Sequence, residues 1–395
     1  MPDLAIHGGV PVRDRMLPYG RQWVDEDDIR AVVEVLRSDW LTTGPAVATF
    51  EEAFAAQVGA KYAVAVSSGT AALHAAAFAA GIGPDDEVIV PAMTFAASAN
   101  CVRYQGGTVV FVDVRPDTLN LDVAHAESAV TPRTRAIVTV DYTGQPSDLD
   151  ELRALADRHH LILIEDGCHA LGATYRGRPV GSLADLTAFS LHPVKHITTG
   201  EGGLITTNDR GMATRLRQFR NHGITTAPAQ REAAGSWFYE MTELGYNYRL
   251  TDFQCALGHA QLQKLPAWVA RRREIAARYS AAFAGMRELE TPPVLPGRES
   301  SWHLYVIRLN LECLRVGRTE VFRALRAENI GVNVHYIPVP WHPYYQRLTY
   351  KRGQWPVSEG AYERLISLPV FPAMGEQDID DVISACTKVI RAYRK

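Results

Sequence analysis

The distribution of apolar and polar positions divides the chain into three textures. The opening stretch is irregular, punctuated by Gly8, Gly9, Pro11, Pro18 and Gly20. Asp25 then stands at a helix start, and Ile29, Val32, Val33 and Leu36 follow at i, i+3, i+4 and i+7, which predicts a helix with that stripe buried. LTTGP (41–45) ends it. From about residue 60, short apolar runs take over: YAVAVS (62–67), EVIVPA (87–92), TVVFVDV (108–114), RAIVTVDY (135–142), LILIED (161–166), LTAFSL (186–191) and GLITTN (203–208). Most are rich in β-branched residues and lack clean polar alternation, as in strands covered on both faces. Helical patterns such as TAALHAAAFAAG (70–81) and DLDELRALADRHH (148–160) lie between them. Strand–helix alternation predicts an α/β fold with a mostly parallel seven-stranded sheet flanked by helices, and ligands in such sheets bind beyond the carboxyl ends of the strands.

After Pro266 the texture changes again. The pattern predicts an amphipathic helix (267–284), a strand HLYVIRLN (303–310), a helix (319–329), a strand IGVNVHY (330–336) and C-terminal helices. This places a large α/β domain with its N-terminal arm at 1–265 and a smaller α+β domain at 266–395. PGRES (296–300) and TTAPAQREAAGS (225–236) read as exposed loops.

Composition narrows the function classes. A chain of 395 residues has room for two or three domains. The net charge of −3 and the absence of a long basic run argue against a nucleic-acid partner. The densest basic cluster, RRR at 271–273, falls in a helical pattern and reads as a solvated face. Cys101, Cys168, Cys255, Cys313 and Cys386 are scattered and odd in number, with no CxxC spacing. That pattern fits a reducing compartment and neither a disulfide framework nor a metal site. No apolar run reaches the ~18 residues of a membrane span, and the start of the chain has no signal-length apolar core. A cytoplasmic protein is expected.

Three segments carry chemistry. SSGTAAL (67–73) follows a strand and opens a helix; its small residues let backbone N–H groups approach an anion, with Ser67, Ser68 and Thr70 adding hydroxyls. Read alone, it is equally a plain turn with a helix cap. Asp166 ends the apolar strand LILIED, where a carboxylate points into the ligand crevice and can pair with a protonated ring nitrogen, or can simply cap the next segment. Lys195 lies in SLHPVKHITTGEGG (190–203), just past a strand-end serine, Ser190, and before a Gly-rich turn. A desolvated lysine there has a lowered pKa and is a nucleophilic amine. A phosphate-type turn, an acid about 100 residues later and a lysine some 30 beyond it, each at a strand end, form the constellation of a pyridoxal 5'-phosphate (PLP) site.

With these segments, PAMTFAASAN, VDYTGQPSDLDEL, IEDGCHALGATYRG, FRNHGI and LGYNYRLTDFQCALGHAQL make the chain resemble the DegT/DnrJ/EryC1/StrS family of sugar aminotransferases, from Pro18 to the C-terminus. HPVKHITTGEGG, NVHYIPV and ISLP look most like the pseudaminic-acid branch, which uses L-glutamate to aminate C4 of a UDP-linked 4-keto-6-deoxy-N-acetyl-hexosamine. The resemblance implies a fold type I PLP transferase that passes through pyridoxamine 5'-phosphate. Lys195 would hold PLP through a Schiff base, Asp166 would pair with its ring nitrogen, Phe95 would stack on the ring and His169 would sit beside its phenolic oxygen. Ser68, Gly69, Thr70 and Ser190 would bind the phosphate, and Asn247 would reach the phosphate of the neighbouring subunit of a homodimer. Tyr19, the stretch Asp39, Trp40, Leu41 and Thr42, and His335, Tyr336, Ile337 and Pro338 would hold the nucleotide sugar, with Gly69, Ser190, Asn247 and Arg249 nearby. Read from the residues alone, Phe95 is an ordinary core aromatic, Tyr19 an exposed loop aromatic, Trp40 plain core and Arg249 part of a loop. Cys168 and His169 are adjacent on one segment, a poor arrangement for a nucleophile and its base.

Three alternatives use the same scaffold. Some family relatives are sugar dehydratases in which His replaces the lysine; Lys195, with His196 beside it, favours transamination. Another keto sugar, aminated at C3 or carried on dTDP, is open. A non-catalytic PLP-binding regulator would lack the lysine or the acid, or would add a DNA-binding region, and none of these holds here.

Overall fold

The computed structural model describes residues 4–226, 231 and 233–395; residues 227–230 and 232, within the loop expected at 225–236, lie outside the described residues. Each of the seven apolar runs is a strand of one sheet. In chain order the strands are β1 (Tyr62–Val66), β2 (Glu87–Pro91), β3 (Thr108–Val112), β4 (Thr134–Val140), β5 (Ile162–Asp166), the short pair β6 (Thr174–Tyr175) and β7 (Arg178–Pro179), then β8 (Leu186–Ser190) and β9 (Gly203–Thr207). The sheet order is β1-β9-β8-β5-β4-β2-β3, and only β9 runs against its neighbours.

Interleaved with these strands are α1 (Glu26–Leu36), α2 (Pro45–Val58), α3 (Gly69–Ala79), α4 (Ala96–Tyr104), α5 (Val123–Ser128), α6 (Leu149–His159) and α7 (Arg210–Phe219). Successive strand residues serve opposite faces. Val64, Val66, Ala136 and Val138 pack with α3, α4 and α7 on one side. Ala63 and Ala65 pack with α2, and Ile137 with α6, on the other. Covered on both faces, the strands have no solvent side to mark with polar residues, which is why the sequence shows runs and not alternation.

Helix α8 (Asp252–Phe283) runs 32 residues and carries Pro266 inside it. The sequence reading started a helix just after this proline, at 267. Pro266 removes one backbone donor, but Leu262, Leu265, Trp268 and Val269 are buried around it and hold the helix together. The boundary expected near 265 therefore falls within a continuous helix. Beyond it, β10 (Leu289–Glu290), β12 (Tyr305–Leu309) and β13 (Leu365–Leu368) form an antiparallel sheet, while β11 (Arg298–Glu299) pairs with β6. The remaining helices are α9 (Arg318–Ala327), α10 (Pro343–Gln346), α11 (Pro356–Tyr362) and α12 (Glu376–Tyr393). A second core joins α9, α12 and the C-terminal half of α8 with Leu4 and Leu17 of the N-terminal arm.

Four further local expectations are corrected. Residues 330–336 form no strand: Ile330 pairs with Leu17 and Asn333 with Ser367 as isolated bridges. Two different partners take the backbone in turn, so no ladder propagates. PGRES is not a free loop, since Arg298–Glu299 is strand and Ser300 is buried. In α1, Asp25 caps the helix as expected, yet Ile29 and Leu36 are 47% and 54% exposed and Asp28 is the buried residue. The helix docks on α8 through the Asp28 carboxylate, which accepts from Gln261 Nε2 at 2.7 Å and pairs with Lys264 at 2.8 Å. Val32 and Val33 are half-buried, so the apolar stripe is only partly covered.

Arg272, read as part of a solvated cluster, is also fully buried. Its guanidinium donates to the carbonyls of Val370 (2.8 Å), Trp302 (3.2 Å) and His303 (3.4 Å), tying α8 to the start of the small sheet. Arg272→Met strands those carbonyls and is expected to cost about 1–3 kcal/mol, seen as a thermal-unfolding midpoint lowered by several degrees. An unchanged midpoint would refute the clamp.

Candidate active site

A cavity of about 390 Å³ opens at the carboxyl ends of β1, β5 and β8. Its walls come from segments remote in sequence, because parallel strands direct their following loops to one edge.

Ser68 caps α3, its Oγ accepting from the backbone N–H of Ala71 at 3.0 Å. This places Ser68, Gly69 and Thr70 on the cavity wall at the positive end of the helix. Gly69 is required by a close approach: a Cβ there would lie 2.7 Å from the Cβ of Ser190, the strand-end residue across the same wall. Gly203 on β9 is similarly confined, since a Cβ would lie 2.4 Å from the Ser68 carbonyl oxygen.

Asp166 ends β5 in the cavity. Ser98 Oγ donates to its Oδ2 at 2.6 Å and the Cys168 N–H to its Oδ1 at 3.2 Å, so two of its acceptor positions are used to fix its orientation. Ser98 also shares a 2.7 Å hydrogen bond with Thr94. Phe95, between them in sequence, is 56% exposed. A phenyl ring left open above a cavity, with its ring centroid 5.8 Å from that of Tyr336, is available to cover a flat ligand. The expectation of an ordinary core aromatic is thereby corrected.

Lys195 projects from the turn after β8 into the same cavity. Burial lowers its pKa from the ordinary lysine value, against smaller raising effects from Cys168 and Asp166. Nζ lies 3.4 Å from His303 Nε2. His169 receives or donates a 3.0 Å hydrogen bond between Nε2 and the Tyr336 hydroxyl. Burial first, then the charge of Lys195, keeps it well below the usual histidine range. Burial pushes the Cys168 thiol well above its ordinary value, which leaves it protonated and without a nucleophilic role.

Eleven of the residues assigned by the sequence reading line this cavity: Tyr19, Ser68, Gly69, Thr70, Phe95, Asp166, His169, Ser190, Lys195, His335 and Tyr336. Asp39, Trp40, Leu41, Thr42, Asn247, Arg249, Ile337 and Pro338 do not. Trp40, Leu41 and Ile337 are exposed away from it and Pro338 is buried. Asn247 is exposed and bridges to Asn221, whose Oδ1 accepts from Arg249. Trp40, at 43% exposure, is not the core residue that its apolar character suggested.

Three contributors escaped the sequence reading. Ser98 lies inside a quoted motif, but only the fold shows its hydroxyl on Asp166. His303 comes 108 residues after Lys195, in the bend just before β12, and carries no local signal. Glu165 faces the opposite side of β5 from Asp166, next to Asp141. Burial first, then Glu165, raises the Asp141 pKa well above normal, and burial raises that of Glu165 as well.

These residues fit PLP. The wall has a helix N-terminus and hydroxyls for a phosphate, a fixed carboxylate for a ring nitrogen, an open aromatic for a ring face and an amine of lowered pKa. The comparisons agree. The family model described as DegT/DnrJ/EryC1/StrS aminotransferase matches residues 22–387. The spore coat polysaccharide biosynthesis protein SpsC of Bacillus subtilis is 44% identical over 97% of this chain and 99% of its own. The putative sugar aminotransferase Spr1654 of Streptococcus pneumoniae, in its pyridoxamine-phosphate form, superposes with a TM-score of 0.90 at 32% identity, over 95% of this chain and 99% of that one. Helicobacter pylori PseC, an aminotransferase of pseudaminic acid biosynthesis, superposes with a TM-score of 0.89 at 30% identity, over 96% of this chain and 100% of that one. The chain belongs to the DegT/DnrJ/EryC1/StrS aminotransferase family and is a PLP-dependent sugar aminotransferase.

Proposed function

We propose that the enzyme moves an amino group from L-glutamate to C4 of a UDP-linked 4-keto-6-deoxy-N-acetyl-hexosamine, in a pathway of the pseudaminic acid type. The observation that carries the chemistry is the convergence of Lys195, Asp166 and the open ring of Phe95 on one cavity. The sugar assignment is supported by the segments HPVKHITTGEGG, NVHYIPV and ISLP and by the likeness to PseC. A second reading, amination of a different nucleotide keto sugar, is favoured by the greater identity to SpsC, a spore coat polysaccharide biosynthesis protein.

When bound, PLP supplies an electron sink for the negative charge that develops at the donor's Cα. In this proposal the chain's residues provide the rest. Lys195 would anchor the cofactor covalently, and its Nζ, once free, would serve as the general base that moves the donor's Cα proton. Asp166 keeps the ring nitrogen protonated, and Ser98 holds that carboxylate in place. Phe95 would cover one ring face, His169 would stand beside the phenolic oxygen, and Ser68, Gly69, Thr70 and Ser190 would hold the phosphate. Tyr19, His335 and Tyr336 border the space left for the sugar. An arginine at position 195 would remain charged and could serve neither role of the lysine.

We also propose a two-fold homodimer in which Asn247 completes the partner's phosphate site, with Arg249 and the Asp39–Thr42 stretch facing the partner's sugar. Its support is apolar surface left open on the single chain: Ile29 and Leu36 of α1, with Trp237, Phe238 and Tyr239 close to Asn247 in sequence. Isologous pairing is the usual way to cover such a surface.

Borohydride reduction of the yellow holoenzyme is expected to leave a pyridoxyl mass on Lys195 in peptide mass spectrometry. Lys195→Ala should fold and lose turnover; a fully active variant would refute the mechanism. Asp166→Ala should lower kcat by roughly 10²–10³-fold, as removal of a preorganised charge partner does. A panel of UDP- and dTDP-linked 3- and 4-keto sugars, offered with glutamate and read by mass spectrometry and NMR, tests the substrate. Amination of the UDP-4-keto N-acetyl sugar is expected to dominate, and preference for a dTDP or 3-keto sugar would select the second reading.

A further inference from the structure

His303 is assigned no role above, although its ring stands within hydrogen-bond distance of the Lys195 amine. Within hydrogen-bond distance, the one side-chain partner of Lys195 Nζ among the described residues is His303 Nε2, at 3.4 Å. The other ring nitrogen, Nδ1, is buried and has no partner. This asymmetry decides the tautomer. A hydrogen on Nδ1 would be a buried N–H with no acceptor, whereas a bare Nδ1 leaves only an unpaired acceptor, the cheaper of the two faults. A charged ring would carry hydrogens on both nitrogens and would stand against a guanidinium as well.

We infer that Nε2–H of His303 donates to the lone pair of the Lys195 amine, so that His303 is a positioning residue that holds the lysine neutral whenever it is not bonded to the cofactor. The surroundings act in the same direction. The His303 ring lies 4.4 Å from that of His169 and 5.6 Å from that of His196, both neutral through burial. His335 is a further neutral neighbour, its pKa pushed down to about 4 by burial. Arg272 holds the His303 carbonyl and is the fixed positive charge behind the amine. Asp166 and the protonated Cys168 thiol are the opposing groups, and Asp166 already accepts from Ser98 and Cys168.

The support of His303 is built firmly. Trp302, one residue before it, has φ +51°, a left-handed conformation that a bulky residue adopts only when its surroundings impose it. Arg272 accomplishes this by bonding the carbonyls of both Trp302 and His303. A chain of contacts thus runs from the buried arginine, through a strained backbone, to the imidazole and the amine. The inference rests on Lys195 being the anchoring amine, because only a lysine that is repeatedly freed during turnover gains from a device that receives it unprotonated.

The test uses the full chain stripped of cofactor. In protein labelled with ¹⁵N-histidine, two-bond ¹H–¹⁵N correlation should show His303 as the Nε2–H tautomer, with its signals assigned by their loss in His303→Gln. Competitive acetylation across pH, quantified on the Lys195 peptide, gives the titration midpoint of the amine. His303→Phe should raise that midpoint by about one pH unit, a roughly tenfold loss of free amine at lower pH, the size expected for one lost hydrogen bond. His303→Gln, which keeps an N–H at the equivalent position, should stay at the wild-type midpoint. An Nδ1–H tautomer, or a Phe variant with an unmoved or lowered midpoint, would overturn the inference. The tautomer is read on the wild-type protein, so it decides the matter even if the Phe variant does not fold. Borohydride trapping reports the anchoring role separately, so failure of one reading cannot be mistaken for failure of the other.

Discussion

The site depends on one electrostatic arrangement: a carboxylate and an amine that line the same cavity without forming an ion pair. Asp166 is immobilised at the end of β5 by the Ser98 hydroxyl and the Cys168 N–H. Lys195 is turned toward His303. Had the two met in an ion pair, the lysine would be a permanently charged ammonium and the acid would have no partner to offer a ring nitrogen. Their separation is set by which strands carry them, β5 and the turn after β8, adjacent strands in the parallel part of the sheet.

Around that pair the protein removes stray charge. Burial holds His169, His196 and His303 well below their normal pKa values and Cys168 well above its own. On the far face of β5, burial raises the pKa of both Asp141 and Glu165, and Thr187 Oγ1 donates to Glu165 at 2.8 Å. Asp166 is thus the carboxylate directed at the cavity, while the next carboxyl in sequence is turned to the far side by strand alternation.

Much of this was legible in the sequence. The seven strands appear as seven apolar runs because each is covered on both faces. Helix α3 could be located by its small residues, and Lys195 and Asp166 stand at strand ends. Expectations failed where a segment's role depends on a distant partner. Pro266 sits inside a continuous helix because packing on both sides outweighs one lost hydrogen bond. Residues 330–336 look like a strand but divide their backbone between Leu17 and Ser367. Arg272 reads as a surface residue and is buried because three carbonyls converge on it.

What the sequence determined by itself was the order of elements, the strand-end placement of Asp166 and Lys195, and the small residues at the start of α3. These follow from local rules: burial on two faces, helix capping and strand-end placement. Only the tertiary structure decided that Ser98 orients Asp166, that Phe95 stands open over the cavity, and that His303 and Arg272 lie behind Lys195. Those contacts join residues tens to more than a hundred positions apart. The direction of a side chain across such a span is set by how sheets and helices pack, and no local pattern records it.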